Sequence, residues 1–187
     1  MPNLYIIAGC NGAGKTTASF TMLPEILNCK EFVNADEIAK GLSPFQPDKV
    51  TFEAGRIMLH RIRELLAGGN DYAFETTLST RSYVSLIKEA KKLDYKVTLV
   101  FFWLDSPLTA KERVKHRVLL GGHDIPEDVI ERRYKRGIEN LKKLYISQVD
   151  YWLVFDNTKE SRLVADGNKS LGFNIISPDI WSSIFNG

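Results

Sequence analysis

Residues 9–16 read GCNGAGKT, a GxxxxGK[ST] pattern, and the chain on either side restricts what these eight residues can be. The run LYIIA (4–8) is apolar throughout, as a strand covered on both faces is, and the residues after the pattern read as a helix that Pro24 stops. A strand that enters a glycine-rich turn and leaves as a helix is the setting of a phosphate-binding loop. The glycines let backbone N–H groups converge on phosphate oxygens, and the helix N-terminus adds the positive end of its dipole. On this reading Gly9, Asn11, Gly12, Ala13 and Gly14 wrap a nucleotide's phosphates and Lys15 reaches the β- and γ-phosphates. The Thr16 hydroxyl ligates Mg²⁺, and Thr17 contacts the α-phosphate or only continues the helix. A turn that merely packs strand on helix is the weaker alternative in this context, and Cys10 reads as a small filler rather than a redox switch.

The rest of the chain alternates strands with helices. EFVNAD (31–36) is a weaker strand, followed by a loop marked by Gly41, Pro44 and Pro47. Phe52, Ile57, Met58, Ile62, Leu65 and Leu66 recur at helical spacing until Gly68. YAFETT (72–77) is a strand, 80–93 a helix with Val84, Ile87 and Leu93 on one side, and KVTLVFFWLD (96–105) the strongest strand, expected at the sheet centre. Ser106 and Pro107 open another helix, a long helix runs to about Gln148, and DYWLVFD (150–156) is a further buried strand. TKESRLVADGNK reads as a turn with a short edge strand and SPDIWSSIF as a terminal helix. This alternation implies right-handed crossovers and a three-layer α/β fold with a mainly parallel sheet of about five strands.

A length of 187 residues with 44% hydrophobic and 26% charged content supports one buried core, hence a single domain over 1–187. The net charge of +2 argues against a dedicated nucleic-acid binder. Cys10 and Cys29 form no CxxC pair, and the apolar start MPNLYIIAG is too short for a signal peptide or membrane span, so a reducing cytoplasm is expected.

A phosphate loop names the ligand and not the reaction. The base-reading NKxD signature of GTPases and the LSGGQ signature of ABC transporters are absent, and motor and AAA-type ATPases need longer chains. What remains is the small-kinase group, which closes a cationic lid over the phosphates. Asp36, at the carboxyl end of a strand expected to neighbour the P-loop strand, is placed to take a proton from an acceptor hydroxyl, or to cap a helix starting at Glu37. Glu75 can organise Mg²⁺ through its water shell or hold an acceptor hydroxyl, Thr77 can contact the acceptor, and Thr76 reads as a helix cap. Asp105 imitates a second metal-site carboxylate, but a cap by Asp105 or Ser106 is the better reading. Arg113 and Arg117, four apart, can lay one guanidinium on adenine and aim the other at phosphate, or form a solvated face; His116 reads as surface.

The segment GGHDIPEDVIERRYKRG (121–137) carries the remaining positive charge. Gly121 and Gly122 break one helix as a hinge, Pro126 fits the first position of the next, and Glu127 and Asp128 suit its dipole. At about 100° per residue, Ile130, Tyr134, Ile138, Leu141 and Tyr145 share an arc of roughly 80°, while Arg132, Arg133 and Arg136 share roughly 100° elsewhere. Lys135 points away from both. A lid over about 117–136 follows, with Arg133 the first choice for the transferring phosphate and Arg136 a further nucleotide contact; a merely solvated helix is the alternative. His123 reads as a lid contact or a turn residue.

With GCNGAGKT, NADEIAKGLSP, FETTLST and GGHDIPEDVIERRYKRGIENL in this order, most of residues 4–157 resembles the zeta toxin family of P-loop kinases, in a compact branch often labelled predicted ATPases. The resemblance implies ATP and Mg²⁺, phosphorylation of the amino-sugar 3′-hydroxyl of UDP-N-acetylglucosamine, and a small helical antitoxin as partner. It further implies Lys15 and Thr16 for ATP and metal, Asp36 as base, Glu75 and Thr77 for acceptor or metal, and Arg117 with Arg133 for the transferring phosphate. Other acceptors compatible with the residues are a nucleoside, an antibiotic or a polynucleotide 5′ end. A nucleotide-dependent binding module with little turnover is the reading from another class.

Overall fold

In the computed structural model, which describes residues 1–122 and 124–186, a seven-stranded sheet has the order β2-β3-β1-β4-β5-β6-β7. The chain enters through β1 (Asn3–Gly9) and α1 (Lys15–Thr21), moves out to the edge strand β2 (Phe32–Val33), and returns through α2 (Ala35–Leu42) and α3 (Thr51–Ala67) to β3 (Tyr72–Thr76). After α4 (Tyr83–Lys92) it crosses to the other side of β1, with β4 (Lys96–Trp103), α5 (Pro107–Leu119), α6 (Glu127–Asn140) and β5 (Tyr151–Asp156). These five strands are parallel. β6 (Arg162–Asn168) and β7 (Gly172–Ile175) then add antiparallel, before α7 (Pro178–Asn186). The fold is therefore α/β and three-layered as expected, with β4 central, but the sheet has seven strands where about five were expected. The turn and edge strand read over 158–169 is a full strand, and 172–175 adds another.

Strand alternation splits the core between the two faces. Leu4, Ile6 and Ala8 of β1 face Met58, Ile62 and Leu65 of α3 and Ile87 of α4, whereas Tyr5 and Ile7 face Leu23, Ala110 and Val114. The expected stripe on α3 is narrower than read, because Phe52 is 81% exposed and lies outside it. On α4, Leu93 is the exposed C-cap and Ala90 takes the buried place.

Pro24 does not stop the first helix. The chain continues in a widened π turn over Met22–Ile26, closed by the Leu27 N–H on the Met22 carbonyl at 3.0 Å. Proline has no N–H to give and its ring crowds the carbonyl one turn back, so the ladder opens by one residue instead of ending.

β1 lies between β3 and β4, so successive crossovers leave it in opposite directions, and a crevice opens at its carboxyl end. α6 bridges that end. Its Ile130 and Tyr134 join the core on the α1 and α5 side, and Ile138 joins the other core with Leu141 and Tyr145 of the π turn that follows. All five residues of the expected apolar stripe are buried or half-buried, yet they serve both faces, because the helix crosses the rim of the sheet rather than lying on one layer.

Candidate active site

The loop after β1 is built by glycines in the left-handed region, Gly12 at φ 78° and Gly14 at φ 79°, where a side chain would be strained. Gly14 stands directly before α1, whose first turn leaves N–H groups without helical acceptors. Lys15 is 6% exposed and folds back over the loop, its ammonium donating to the Cys10 carbonyl at 2.9 Å and lying 3.4 Å from Glu75 Oε1. Thr16 donates its hydroxyl to Glu75 Oε2 at 2.7 Å. Glu75, near the end of β3, thus meets both loop residues that the sequence assigns to phosphate and metal. Burial pushes the Cys10 thiol up to about 11, so it stays protonated and fits the filler reading.

Asp36 sits not at a strand end but in the first turn of α2, two residues after the cap, and the strand before it, β2, does not neighbour β1 as expected, since β3 lies between them. That cap is Asn34, whose Oδ1 accepts the N–H groups of Asp36 at 2.8 Å and Glu37 at 3.4 Å. The capping alternative for Asp36 is thereby removed, and its carboxylate is spare for other work. Thr76 does not cap a helix either: its hydroxyl accepts the Leu78 N–H at 3.0 Å in the turn after β3, seven residues before α4 begins. Thr77 pairs its hydroxyl with Ser79 at 2.9 Å. The expected cap before α5 is Ser106, which accepts the Thr109 N–H at 3.1 Å; Asp105 accepts the Thr109 hydroxyl at 2.6 Å, which occupies the carboxylate that imitated a metal ligand.

α5 ends in a Schellman turn, Gly122 N–H on Arg117 carbonyl and Gly121 N–H on Val118 carbonyl, both at 2.9 Å. Pro126 is the N-cap of α6 rather than its first helical residue. Lys115 and Lys111 hold the start of α6 through Glu127 at 2.7 Å and Glu131 at 3.1 Å. Farther along, the Tyr134 hydroxyl donates to the Leu104 carbonyl at 2.8 Å and buried Asn140 donates to the Leu78 carbonyl at 2.8 Å. Between them lies buried Gly137, where a Cβ would come within 2.7 Å of the Thr77 carbonyl, so the helix can approach the rim this closely only at glycine.

This docking points Arg133 down at the phosphate loop. Its guanidinium donates to Asn11 Oδ1 at 3.2 Å; burial lowers its pKa while the neighbouring Asp36 carboxylate opposes that fall. The cleft beneath, about 230 Å³, is lined by Asn11, Lys15, Asp36, Glu75, Thr77 and Arg133 with Thr76, Thr80 and Tyr83 along one wall. A crevice of about 620 Å³ beside the β5–β6 turn is larger, but the smaller cleft is where the loop lysine, two carboxylates and a half-buried arginine meet.

The other arginines are placed differently. Arg132 and Arg136 are exposed, Arg132 lying 3.9 Å from Asp128. Arg117 is half-buried, its stem packed against Gly122, and does not line the cleft. Arg113 donates to the Gly12 carbonyl at 3.4 Å and to the Thr158 carbonyl at 2.8 Å. Those in-plane bonds leave the flat faces of its guanidinium for stacking. Thr17 and His116 are exposed, and His123 lies outside the described residues.

The β5–β6 turn falls where the sequence reads a turn, but its contacts with the phosphate loop have no counterpart in that reading. Asn157 donates to the Ala13 carbonyl at 2.7 Å, and Thr158 accepts the Asp105 N–H at 3.0 Å, so this turn buttresses the phosphate loop from far along the chain. Asp156, 3% exposed, anchors it, accepting from Thr158 N–H at 2.9 Å and from Arg162 at 3.0 and 2.8 Å. Burial pushes this carboxyl up, but the bonds from Thr158 and Arg162 outweigh it and hold the pKa below the usual carboxylate value. A folded pKa below the unfolded one means stability that is present above the unfolded value and lost as pH falls through the folded one. Asp156→Asn is expected to cost about 2 kcal/mol at neutral pH. In urea melts the gap to the parent should narrow steadily below about pH 4.

Comparison with known proteins agrees with this architecture. An uncharacterised protein of Haemophilus influenzae is 29% identical over 126 residues, covering 67% of this chain and 88% of that protein. Among solved structures, an AvrRxo1-ORF1:AvrRxo1-ORF2 complex with sulphate ions superposes with a TM-score of 0.81 at 17% identity over 98% of this chain. This chain spans 63% of that protein's length. The PezAT chromosomal toxin-antitoxin system of Streptococcus pneumoniae gives 0.70 at 16% identity over all of this chain and 79% of that one. A gluconokinase of Sinorhizobium meliloti gives 0.54 at 15% identity over 84% and 83%. At such identities these likenesses establish a shared fold. Length does not separate the chain from proteins bearing the AAA name, as the sequence reading supposed: a family model described as an AAA domain matches residues 4–144, and the chain belongs to that family of P-loop domains.

Proposed function

We propose that the protein is an ATP- and Mg²⁺-dependent kinase that phosphorylates a hydroxyl of a small molecule, after the manner of zeta toxins. The observation that carries this reading is the meeting of Asp36 and Arg133 over Lys15 and Glu75 in one cleft at the end of β1.

ATP would displace the Lys15 ammonium from the Cys10 carbonyl, its phosphates supplying better acceptors, with the loop N–H groups wrapping them. Among the described residues no cluster of three or more His, Cys, Asp or Glu side chains can hold a metal unaided. Thr16 and Glu75, two hard oxygen donors 2.7 Å apart beside the loop, fit Mg²⁺, which takes one or two protein oxygens and completes its shell with phosphates and water. When bound, the ion neutralises charge that builds on the β- and γ-phosphate oxygens. Asp36 takes the proton of the acceptor hydroxyl; the acceptor oxygen bonds to the γ-phosphorus as the bond to the β–γ bridging oxygen breaks, and ADP leaves. Arg133 faces the oxygens of the group in flight.

Thr77 borders the acceptor side, Arg113 offers a stacking face for adenine, and Arg117 and Arg136 flank a lid over 117–136 within a single domain. The UDP-N-acetylglucosamine acceptor and a small helical antitoxin come from the zeta toxin resemblance. In support, similar structures include an AvrRxo1-ORF1:-ORF2 complex with ATP and a toxin-antitoxin system. A cytoplasmic setting fits, and among the described residues no helix is long and apolar enough to cross a membrane.

Incubation of the purified protein with γ-labelled ATP, Mg²⁺ and a panel of nucleotide sugars, nucleosides and polynucleotides tests this. We expect label on a nucleotide sugar, about 10³-fold less with Lys15→Met. Release of phosphate with no labelled acceptor would overturn the kinase reading.

A further inference from the structure

We propose that Asn34 is a positioning residue that ties the acceptor-side base to the metal-side oxygens, a role that rests on the kinase reading above. Asn34 follows β2 directly and is 5% exposed. Both ends of its carboxamide are used. Oδ1 accepts the N–H groups of Asp36 and Glu37, and Nδ2 donates to Glu75 Oε2 at 2.9 Å and lies 3.4 Å from Thr16 Oγ1.

A helix cap by itself does not require asparagine: serine, threonine or aspartate would hold the two N–H groups equally well. Nor does Glu75 need asparagine as its only partner, since Lys15 and Thr16 already face it. What only an amide does is accept with one end and donate with the other across a planar, rigid group. The backbone that carries Asp36 is thus two hydrogen bonds away from the Glu75 oxygen assigned to the metal. A shift of Glu75 on filling of the metal site is passed to the first turn of α2, and with it to Asp36. Asn34 lines the same cleft, but both ends of its carboxamide are engaged, and in this scheme it sets the distance between the groups that meet metal and acceptor.

Asn34→Ser and Asn34→Thr test this, because each keeps a hydroxyl oxygen for the cap but is too short to carry a donor to Glu75. Melting temperature, affinity for a fluorescent ATP analogue with and without Mg²⁺, and transfer kinetics are measured on each. The expected result is a melting temperature lowered by at most a few degrees, as for one lost hydrogen bond, and unchanged affinity without Mg²⁺. The gain in affinity on adding Mg²⁺ should shrink and kcat fall by about 10–100-fold. Either folded variant suffices. Parent-like Mg²⁺ response and kcat in both would overturn the positioning role and leave Asn34 a helix cap. If the parent transfers phosphate to no acceptor, the kinase reading fails, while the Mg²⁺-dependent binding arm still decides whether Asn34 serves the metal side.

Discussion

Asp36→Asn is expected to reduce phosphoryl transfer by about 10²–10⁴-fold, the usual contribution of a positioned base, while ATP affinity stays within severalfold. The expectation is sharp because the substitution disturbs little else. The start of α2 is capped by Asn34, so the Asp36 side chain is not needed to hold the helix. The nucleotide contacts assigned to the phosphate loop and Lys15 lie on another element. Asn is close to Asp in shape and can still hydrogen-bond an acceptor hydroxyl, but it cannot take its proton. One change is electrostatic: Arg133 loses the carboxylate that opposes its desolvation. That loss leaves the guanidinium charged, since arginine does not deprotonate in proteins, so the phosphate side of the site survives. Single-turnover transfer and a separate ATP-analogue titration check both halves. Parent-like transfer would remove Asp36 from the role of base.

How far the sequence could be read depends on which physical signal each part carries. β1 and β4 are apolar on both faces because helices cover both, and that signal needs no partner strand to be seen. β6 and β7 lie toward the far edge of the sheet: β6 ends in the polar or glycine run Asp166, Gly167 and Asn168, GFNI has glycine or a polar residue at alternate positions, and β7 is almost wholly exposed. Local pattern marks only a short edge strand for β6 and none for β7, and what makes both of them full strands is pairing, of β6 to β5 and of β7 to β6. The P-loop was legible because its eight residues are contiguous. The turn that supports it from residues 156–158 was not, since its contact with Ala13 joins positions that only the folded sheet brings together.

Asn34 is an instructive omission. It stands in FVNADE, one residue before a helix with acidic side chains in its first turn, which is a capping signature. The neighbouring Asp36 is as good a cap by residue type, so type alone does not single Asn34 out, and the second bond of Asn34, to Glu75, has no trace in local sequence. The arginine helix shows the opposite case. Periodicity alone separated an apolar stripe from an arginine face on α6 and singled out Arg133 as the residue nearest the stripe. It could not show that the stripe spans two cores, which is what carries the helix across the rim.

That crossing sets the size of the second effect. Arg133→Ala is expected to lower kcat by about 10³-fold, within the range for an arginine that faces a transferring phosphoryl group, and to weaken ATP binding only severalfold. Arg133 is held by a helix fixed at both ends, through Lys111 and Lys115 before it and Asn140 after it, so its charge needs little reorganisation when the reaction proceeds. Its half-buried setting also weakens screening by water, which makes the same charge act more strongly than on the exposed Arg132 or Arg136. Removing a desolvated cation does not unfold the chain: the burial that depresses its pKa opposes folding, and its bond to Asn11 is a single contact. The melting temperature should therefore stay near the parent's while kcat collapses. Arg133→Lys, which keeps the charge but loses the planar fork, should recover only part of the rate. An effect confined to KM would reduce Arg133 to a binding contact, and a loss of equal size in Arg136→Ala would move the transferring phosphate out toward solvent, one turn farther along α6.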